Sequence, residues 1–312
     1  MKKLKYAVIV LNYNTAEDCQ LAVQSIKKNA LGIDYRICIV DSGSSNEDEK
    51  YKLKKLESED VELLFLEENV GYARGNNAAV KYLLTKYQFE YTVIMNPDVI
   101  IEQVGTIEGL IDSIQKYNMD IVGAQPLVAG MDTDIPANMQ INIRKVFTYS
   151  DMLINASWVL KRIFKKKFNE SVYFSERPYN SNIVFEVPSG AFFLINTDIF
   201  ERVGFFDEST FLYAEELILG YKLKKLGKKF LFVPKFKVLH FQGKSTQSHK
   251  ENTTDVSRRY AAESKKIYMQ KYLKVNPIMI KFYQWNYCVG EKSEKIFAKI
   301  CYYIKKYVHF YK

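Results

Sequence analysis

No stretch of this 312-residue chain approaches the ~20 uninterrupted apolar residues of a membrane-spanning helix, so a bilayer-crossing protein is not expected. The opening Met1 to Leu11 has a charged start but an apolar run of only about six residues and no small-residue cleavage site, so it reads as a first strand and not a leader. Cysteine is scarce. Cys19, Cys38, Cys288 and Cys301 are scattered with no Cys-x-x-Cys pair, which excludes a thiolate zinc site and fits a reducing cytoplasm. In that compartment the Asn-x-Ser/Thr triplets at Asn155, Asn169 and Asn252 are chance matches. There is no repeat of solenoid length. Two phosphate-binding signatures are also missing. The first strand leads into Asn12-Tyr-Asn-Thr-Ala16 without the glycines of a dinucleotide fold, and Gly243-Lys-Ser-Thr246 has Val238 where a P-loop requires glycine.

What is present is globular: 47% hydrophobic against 26% charged residues can bury a sizeable core. Tyr6 to Leu11, Tyr35 to Asp41, Val61 to Glu67 and Tyr91 to Met95 read as strands, alternating with helices that begin near Thr15, Asn46 and Gly75. Runs such as Ala-Val-Ile-Val-Leu are apolar on both faces, as in a mostly parallel sheet covered by helices on each side. Residues 131–183 are less regular and are expected to form an inserted, mobile segment over the site. The pattern resumes from Val184, with a helix near Ala214 and strands at Phe230 to Val233 and Phe236 to Phe241. The expected division is an α/β domain over 1–246, with a nucleotide-binding half over 1–100 and an acceptor half over 184–246, then a basic helical region over 247–312.

Ligands of such sheets bind beyond the carboxyl ends of the strands. Those ends carry Asn12 and Asn14, then Asp41, then Asn69 through Asn77, then Asn96-Pro-Asp98. Each alone is ordinary turn chemistry, but four polar ends converge on one edge. A nucleotide sugar fits this set. Asp41 can accept the ring N–H of a pyrimidine, and the Asn69 to Asn77 loop can frame base and ribose. Gly71 and Gly75 admit close backbone approach, Arg74 offsets phosphate charge, and Asp98 suits a divalent metal on the diphosphate. Asp98 as a turn or capping residue is the competing reading.

Taken together, Val8-Ile-Val-Leu-Asn-Tyr-Asn14, Val40-Asp-Ser-Gly-Ser45, Asn69-Val-Gly-Tyr-Ala-Arg-Gly-Asn-Asn77, Met95-Asn-Pro-Asp98, Pro188-Ser-Gly-Ala191, Val203-Gly-Phe-Phe-Asp207, Phe211-Leu-Tyr-Ala-Glu-Glu216 and Val238-Leu-His-Phe-Gln-Gly-Lys-Ser245 resemble the family 2 inverting glycosyltransferases of the GT-A fold, in their rhamnosyltransferase-like bacterial branch. The resemblance spans roughly residues 6 to 246. It implies that Asn96-Pro-Asp98 stands for the family's metal-binding Asp-x-Asp and that His240 joins the metal, Mn²⁺ or Mg²⁺. It also implies that Glu216 is the base of an acidic pair. The pair here is Glu-Glu where the family has Glu-Asp, and Ile218 replaces a frequent carboxylate, so Glu215 remains an alternative. Ser189, Gly190 and Asp207 fall on the acceptor side, with fold-keeping as the rival role for Gly190.

The implied activity is transfer of a sugar from a dTDP- or UDP-sugar to a hydroxyl on a polyprenyl-linked saccharide in surface polysaccharide synthesis. A non-catalytic nucleotide-sugar-binding protein on the same fold is the alternative. Residues 261–312 hold eleven lysines against Glu263, Glu291 and Glu294, which is most of the net charge of +9. No nucleic-acid module accompanies them, so a nucleic-acid partner is not expected. Ile296, Ile300, Ile304, Tyr307 and Tyr311 share one helical side, suited either to the inner face of an anionic membrane or to packing on the catalytic domain.

Overall fold

The apolar runs of the first hundred residues become the centre of one nine-stranded sheet in this computed structural model. The structure describes residues 1–32, 34–128, 144–172, 181–228, 230–241 and 253–310. Strands β1 (Lys2–Asn12), β2 (Tyr35–Ser42), β3 (Val61–Leu66) and β4 (Tyr87–Met95) lie parallel in the order β3-β2-β1-β4. Val8, Ile9 and Val10 are fully buried on alternating faces, because helices cover both sides. Those helices are α1 (Ala16–Asn29), α2 (Glu47–Lys54) and α3 (Gly71–Leu84). Beyond β4 come β5 (Val99–Ile101), α4 (Thr106–Tyr117) and β6 (Ile121–Val128).

The second half breaks the parallel pattern. Strands β7 (Ile183–Phe185), β8 (Phe192–Asn196) and β9 (Phe230–His240) complete the sheet, with β8 antiparallel to both β4 and β6 and β9 antiparallel to β5. The two strands expected at 230–233 and 236–241 are therefore one, continuing through Pro234. Between β8 and β9 stand α8 (Thr197–Arg202) and α9 (Glu215–Lys225).

Two compact units result, Met1–Arg144 with Arg177–Lys265, and Lys145–Glu176 with Lys266–Lys312. This corrects the boundary expected at residue 246. In α10 (Thr253–Ile267), Tyr260 stacks on Phe211 at 4.4 Å and Ser264 Oγ donates to Leu212 O at 2.9 Å, so much of this helix belongs to the sheet unit. The second unit joins α5 (Tyr149–Ala156), α6 (Trp158–Ile163) and α7 (Lys165–Val172) to a π-turn (Tyr268–Tyr272) and the long α11 (Pro277–Phe310). Asn286 Nδ2 donates to Leu153 O at 2.8 Å, Tyr149 Oη to Met279 O at 2.7 Å, and Tyr268 Oη to Phe147 O at 2.6 Å. The regular part of the expected insertion thus pairs with the C-terminal helix. Residues 131–143 and 173–180 of it lie outside the described residues, as does Gly243 to Thr246.

One expected site residue turns out to hold the fold. Asn77 lies inside α3, buried, where its Oδ1 accepts from Phe206 N–H at 3.1 Å and its Nδ2 donates to Phe206 O and Glu208 Oε1 at 3.0 Å. Alanine there leaves buried backbone groups unpaired. Asn77→Ala is expected to lose about 2 kcal/mol of stability in urea unfolding while nucleotide-sugar affinity of the folded protein, measured by calorimetry, stays unchanged; weakened affinity with full stability would return Asn77 to the binding site.

Candidate active site

The carboxyl ends of the parallel strands and the first turn of α9 border a cleft of about 530 Å³. Leu11, Ser42, Asn69 and Gly71 line it from the first half of the chain, and Ser189, Gly190, Glu215 and Glu216 from the second, with Asp98 and His240 also at its surface. Asn69 Oδ1 accepts from Ser42 Oγ at 3.3 Å and from Gly71 N–H at 3.0 Å, closing the turn into α3. Gly71 sits at φ +81°, and a Cβ there would meet Phe211 O at 2.2 Å, so the start of α3 can touch the 211 segment only as glycine.

Asp98 follows β4 through the turn Asn96-Pro-Asp98, closed by Val99 N–H to Asn96 O at 3.2 Å. The pairing of Val99 with His240 brings the end of β9 alongside, and Phe241 N–H donates to Asp98 O at 2.9 Å. His240 Nε2 then lies 3.3 Å from Asp98 Oδ1. That contact does not meet hydrogen-bond geometry, and Asp98 Oδ1 is a buried acceptor without a hydrogen-bond partner. A carboxylate oxygen buried in this state carries a cost unless something electropositive reaches it.

The acidic pair opens α9 after two consecutive left-handed residues, Tyr213 (φ 71°) and Ala214 (φ 65°). Glu216 rests against Gly190, where a Cβ would meet its Oε1 at 2.1 Å. The 190 carbonyl accepts from Tyr72 Oη at 2.7 Å, and Asn96 N–H donates to the neighbouring Ala191 O at 2.9 Å. Glu215 is buried. Loss of hydration, with the nearby charge of Glu216 second, pushes its carboxyl well above the usual carboxylate range, against the pull of the Glu215 and Tyr213 backbone groups. The Tyr72 hydroxyl is also raised, by burial and then by Glu216 and Glu215.

Several expected residues do not line the cleft. Asn12 donates to Asp41 Oδ1 at 2.7 Å and accepts from Thr15 N–H at 3.2 Å, while Asp41 also holds Ser44 through its hydroxyl and its N–H. Both are buried and brace the strand ends. Asn14, at φ 56°, donates its N–H to Ser44 Oγ at 2.8 Å and accepts from Ser45 N–H. Arg74 points to Glu208 O at 3.0 Å, and Gly75 packs helix on sheet against Leu11. Asp207 accepts from Ser209 N–H at 2.9 Å. The expected Asn69 to Asn77 loop is thus mostly the first turns of α3. Conversely, Tyr72 and Arg144 line the cleft and were not singled out from the sequence. Tyr72 had a signal, an aromatic between two site glycines. Arg144, whose buried Nε lacks a hydrogen-bond partner, sits in the irregular stretch and had none.

The raised carboxyl of Glu215 has a measurable sign. The native state holds that proton more tightly than the unfolded chain, so stability falls as pH rises from the unfolded value of about 4.3 towards the native one. Glu215→Gln removes the penalty. Its melting temperature is expected to gain on the parent's progressively between pH 4 and 8; an offset independent of pH would place the ionised form in the folded protein.

Comparison with known proteins bears on family and fold. The model of "Glycosyl transferase family 2" matches residues 7–204. Rhamnosyltransferase WbbL of Escherichia coli is 26% identical over 193 residues, 61% of this chain and 66% of its own length. The low-salt glycan biosynthesis hexosyltransferase Agl10 of Haloferax volcanii is 24% identical over 70% of this chain and 61% of its own. The N-acetylglucosaminyl-diphospho-decaprenol L-rhamnosyltransferase of Mycobacterium tuberculosis is 25% identical over 67% of each chain. The chain therefore spans about two thirds of the length of these relatives. Among solved structures, the mannosyltransferase PcManGT of Pyrobaculum calidifontis, in complex with GDP-Man and Mn²⁺, superposes with a TM-score of 0.57 at 13% identity, covering 96% of this chain and 76% of that one. S. aureus TarS gives 0.52 at 13% identity over 86% and 72%. These likenesses show the GT-A fold, and the match over most of the sheet-forming sequence shows that the chain belongs to glycosyl transferase family 2.

Proposed function

We propose that this family member is a metal-dependent, inverting sugar transferase that uses a dTDP- or UDP-sugar and delivers the sugar to a hydroxyl of a polyprenyl-linked saccharide in surface polysaccharide synthesis. The observation that carries the reading is one cleft holding a cleft-lining carboxylate, Glu216, together with Asp98, whose Oδ1 lacks a hydrogen-bond partner and lies 3.3 Å from His240 Nε2. The rhamnosyltransferase relatives support the reaction class, and the decaprenol-linked substrate in the mycobacterial relative's name supports the acceptor class.

On this reading Glu216 takes the proton of the acceptor hydroxyl as its oxygen attacks the anomeric carbon. The bond from that carbon to the diphosphate oxygen breaks on the opposite face, inverting the configuration. Gly190 leaves the carboxylate room, and Ser189 is placed to touch the acceptor. Ser42, Asn69 and Gly71 form the nucleotide side. Asp41 Oδ2, which accepts one hydrogen bond, from Ser44 N–H, keeps capacity for a base N–H, with Asn12 and Asn14 holding it in place. Arg144 adds a cation for phosphate charge that the sequence reading had assigned to Arg74.

The donor set at Asp98 suits a divalent cation such as Mn²⁺ or Mg²⁺, because a buried carboxylate oxygen without a partner and an imidazole nitrogen stand 3.3 Å apart. Among the described residues no third His, Cys, Asp or Glu completes a cluster, so donor phosphate oxygens and water would take the remaining positions. A cation held there would stabilise the departing diphosphate. No described helix is long and apolar enough to cross a membrane. Attachment to the inner membrane face through the C-terminal region is therefore proposed as peripheral.

Two experiments test these assignments. Glu216→Gln is expected to cut transfer at least about a hundredfold with donor affinity retained. Near-parental turnover would move the base to Glu215, and absence of turnover from the parent with every nucleotide sugar would favour the non-catalytic donor-binding alternative. Asp98→Asn is expected to weaken donor binding, measured by calorimetry with and without Mn²⁺, and a chelator is expected to abolish transfer reversibly; full activity in chelator would remove the metal from the mechanism.

A further inference from the structure

The two faces of α11 differ sharply. Ile280, Tyr283, Asn286 and Gly290 are buried on the side that packs against α5 and α6, Gly290 so closely that a Cβ would meet Ala156 O at 2.7 Å. On the opposite side Ile278, Phe282, Trp285, Val289 and Ile296 recur at spacings of three, four and seven and are exposed by 80%, 52%, 60%, 43% and 60%. Phe282 and Trp285 stack on each other at 5.7 Å, so the two rings form one apolar plate. Scattered exposed apolar residues need no explanation, but five in register along one helix do. Lys281, Lys292 and Lys299 are exposed three or four residues from members of the stripe. The acidic positions of the helix, 291 and 294, fall by register on the packed side.

We propose that this stripe is the surface by which the protein lies on an anionic lipid bilayer, with Trp285 and Phe282 in the headgroup layer and the three lysines on acidic headgroups. Charge decides the occupant. A second copy of the chain docked stripe to stripe would set lysine against lysine with no carboxylate among the described side chains of the face to answer them, whereas an anionic surface answers each. The stripe precedes the residues that the sequence pattern suggested. Of that pattern Ile296 is shared, the side chains of Ile300, Ile304 and Tyr307 are not described, and Tyr311 lies outside the described residues. The proposal deepens the peripheral-membrane part of the functional reading and rests on it for purpose alone, because lipid binding needs neither donor nor acceptor.

The test is co-sedimentation of the full-length protein with vesicles of phosphatidylcholine alone and of phosphatidylcholine with phosphatidylglycerol. Binding is expected to the acidic vesicles, to weaken with salt, and to fall roughly tenfold or more in Phe282→Ser/Trp285→Ser with an unchanged thermal melt. Should that variant fold poorly, brominated lipid gives a second readout. The chain has two tryptophans, Trp158 and Trp285, and Trp285→Phe is expected to remove the lipid quenching of fluorescence. Equal binding by the variant, quenching that persists in Trp285→Phe, or a parent that ignores acidic vesicles would each overturn the proposal. A dimer that dissociates in the double variant would identify the stripe as a contact between copies. Failure of the transferase reading would instead appear as vesicle binding without transfer.

Discussion

Two hydrogen bonds onto adjacent carbonyls hold the site together. Tyr72 Oη reaches Gly190 O from the start of α3, and Asn96 N–H reaches Ala191 O from the turn after β4. The turn at 189–191 is thus pinned by the half of the chain that carries the nucleotide-side residues, and the Glu216 carboxylate lies on that turn. Separation of the two sides by an ångström would break both bonds, and rate falls steeply when reacting groups are misplaced by that distance. The antiparallel insertion of β8 beside β4 makes this possible, since it brings residues almost a hundred positions apart to the same sheet edge.

Much of the parallel half was legible in the sequence. Strands buried on both faces must be apolar throughout, and β1 and β2 announce themselves that way. The acidic pair and His240 were legible through the resemblance alone, and the structure brings them with Asp98 to one cleft. The start of α3 was not. Asn69, Gly71 and the Asn76-Asn77 pair have loop composition, yet Asn76 Nδ2 donates to Tyr72 O one helical turn earlier and Asn77 is consumed by tertiary hydrogen bonds that no local pattern can reveal. Asn12 and Asp41 were legible as polar strand-end residues, but the hydrogen bonds that tie them to one another and to Ser44 were not.

Long-range pairing accounts for the rest. Pro234 lies between the two strands expected where β9 is one, and the pairing of β9 with β6 shifts register across Phe232 to Lys237, so an irregularity accommodates the proline. The association of 145–176 with 266–312 joins segments separated by the whole second half of the sheet, so the apolar face of α11 had an internal partner that composition alone could not name. That partner covers one side of the helix and leaves the other to solvent.

The left-handed pair ahead of α9 has a consequence for how the acids are aimed. Tyr213 and Ala214 each occupy a conformation that costs a side-chain-bearing residue about 1–2 kcal/mol, and the α9 N-cap makes no side-chain hydrogen bond. Conformations of that cost persist only where their surroundings hold them. The aromatic stack of Tyr260 on Phe211 and the Ser264 bond to Leu212 hold the segment just ahead of the pair. The placement of Glu215 and Glu216 at the cleft thus leans on a helix some forty residues downstream.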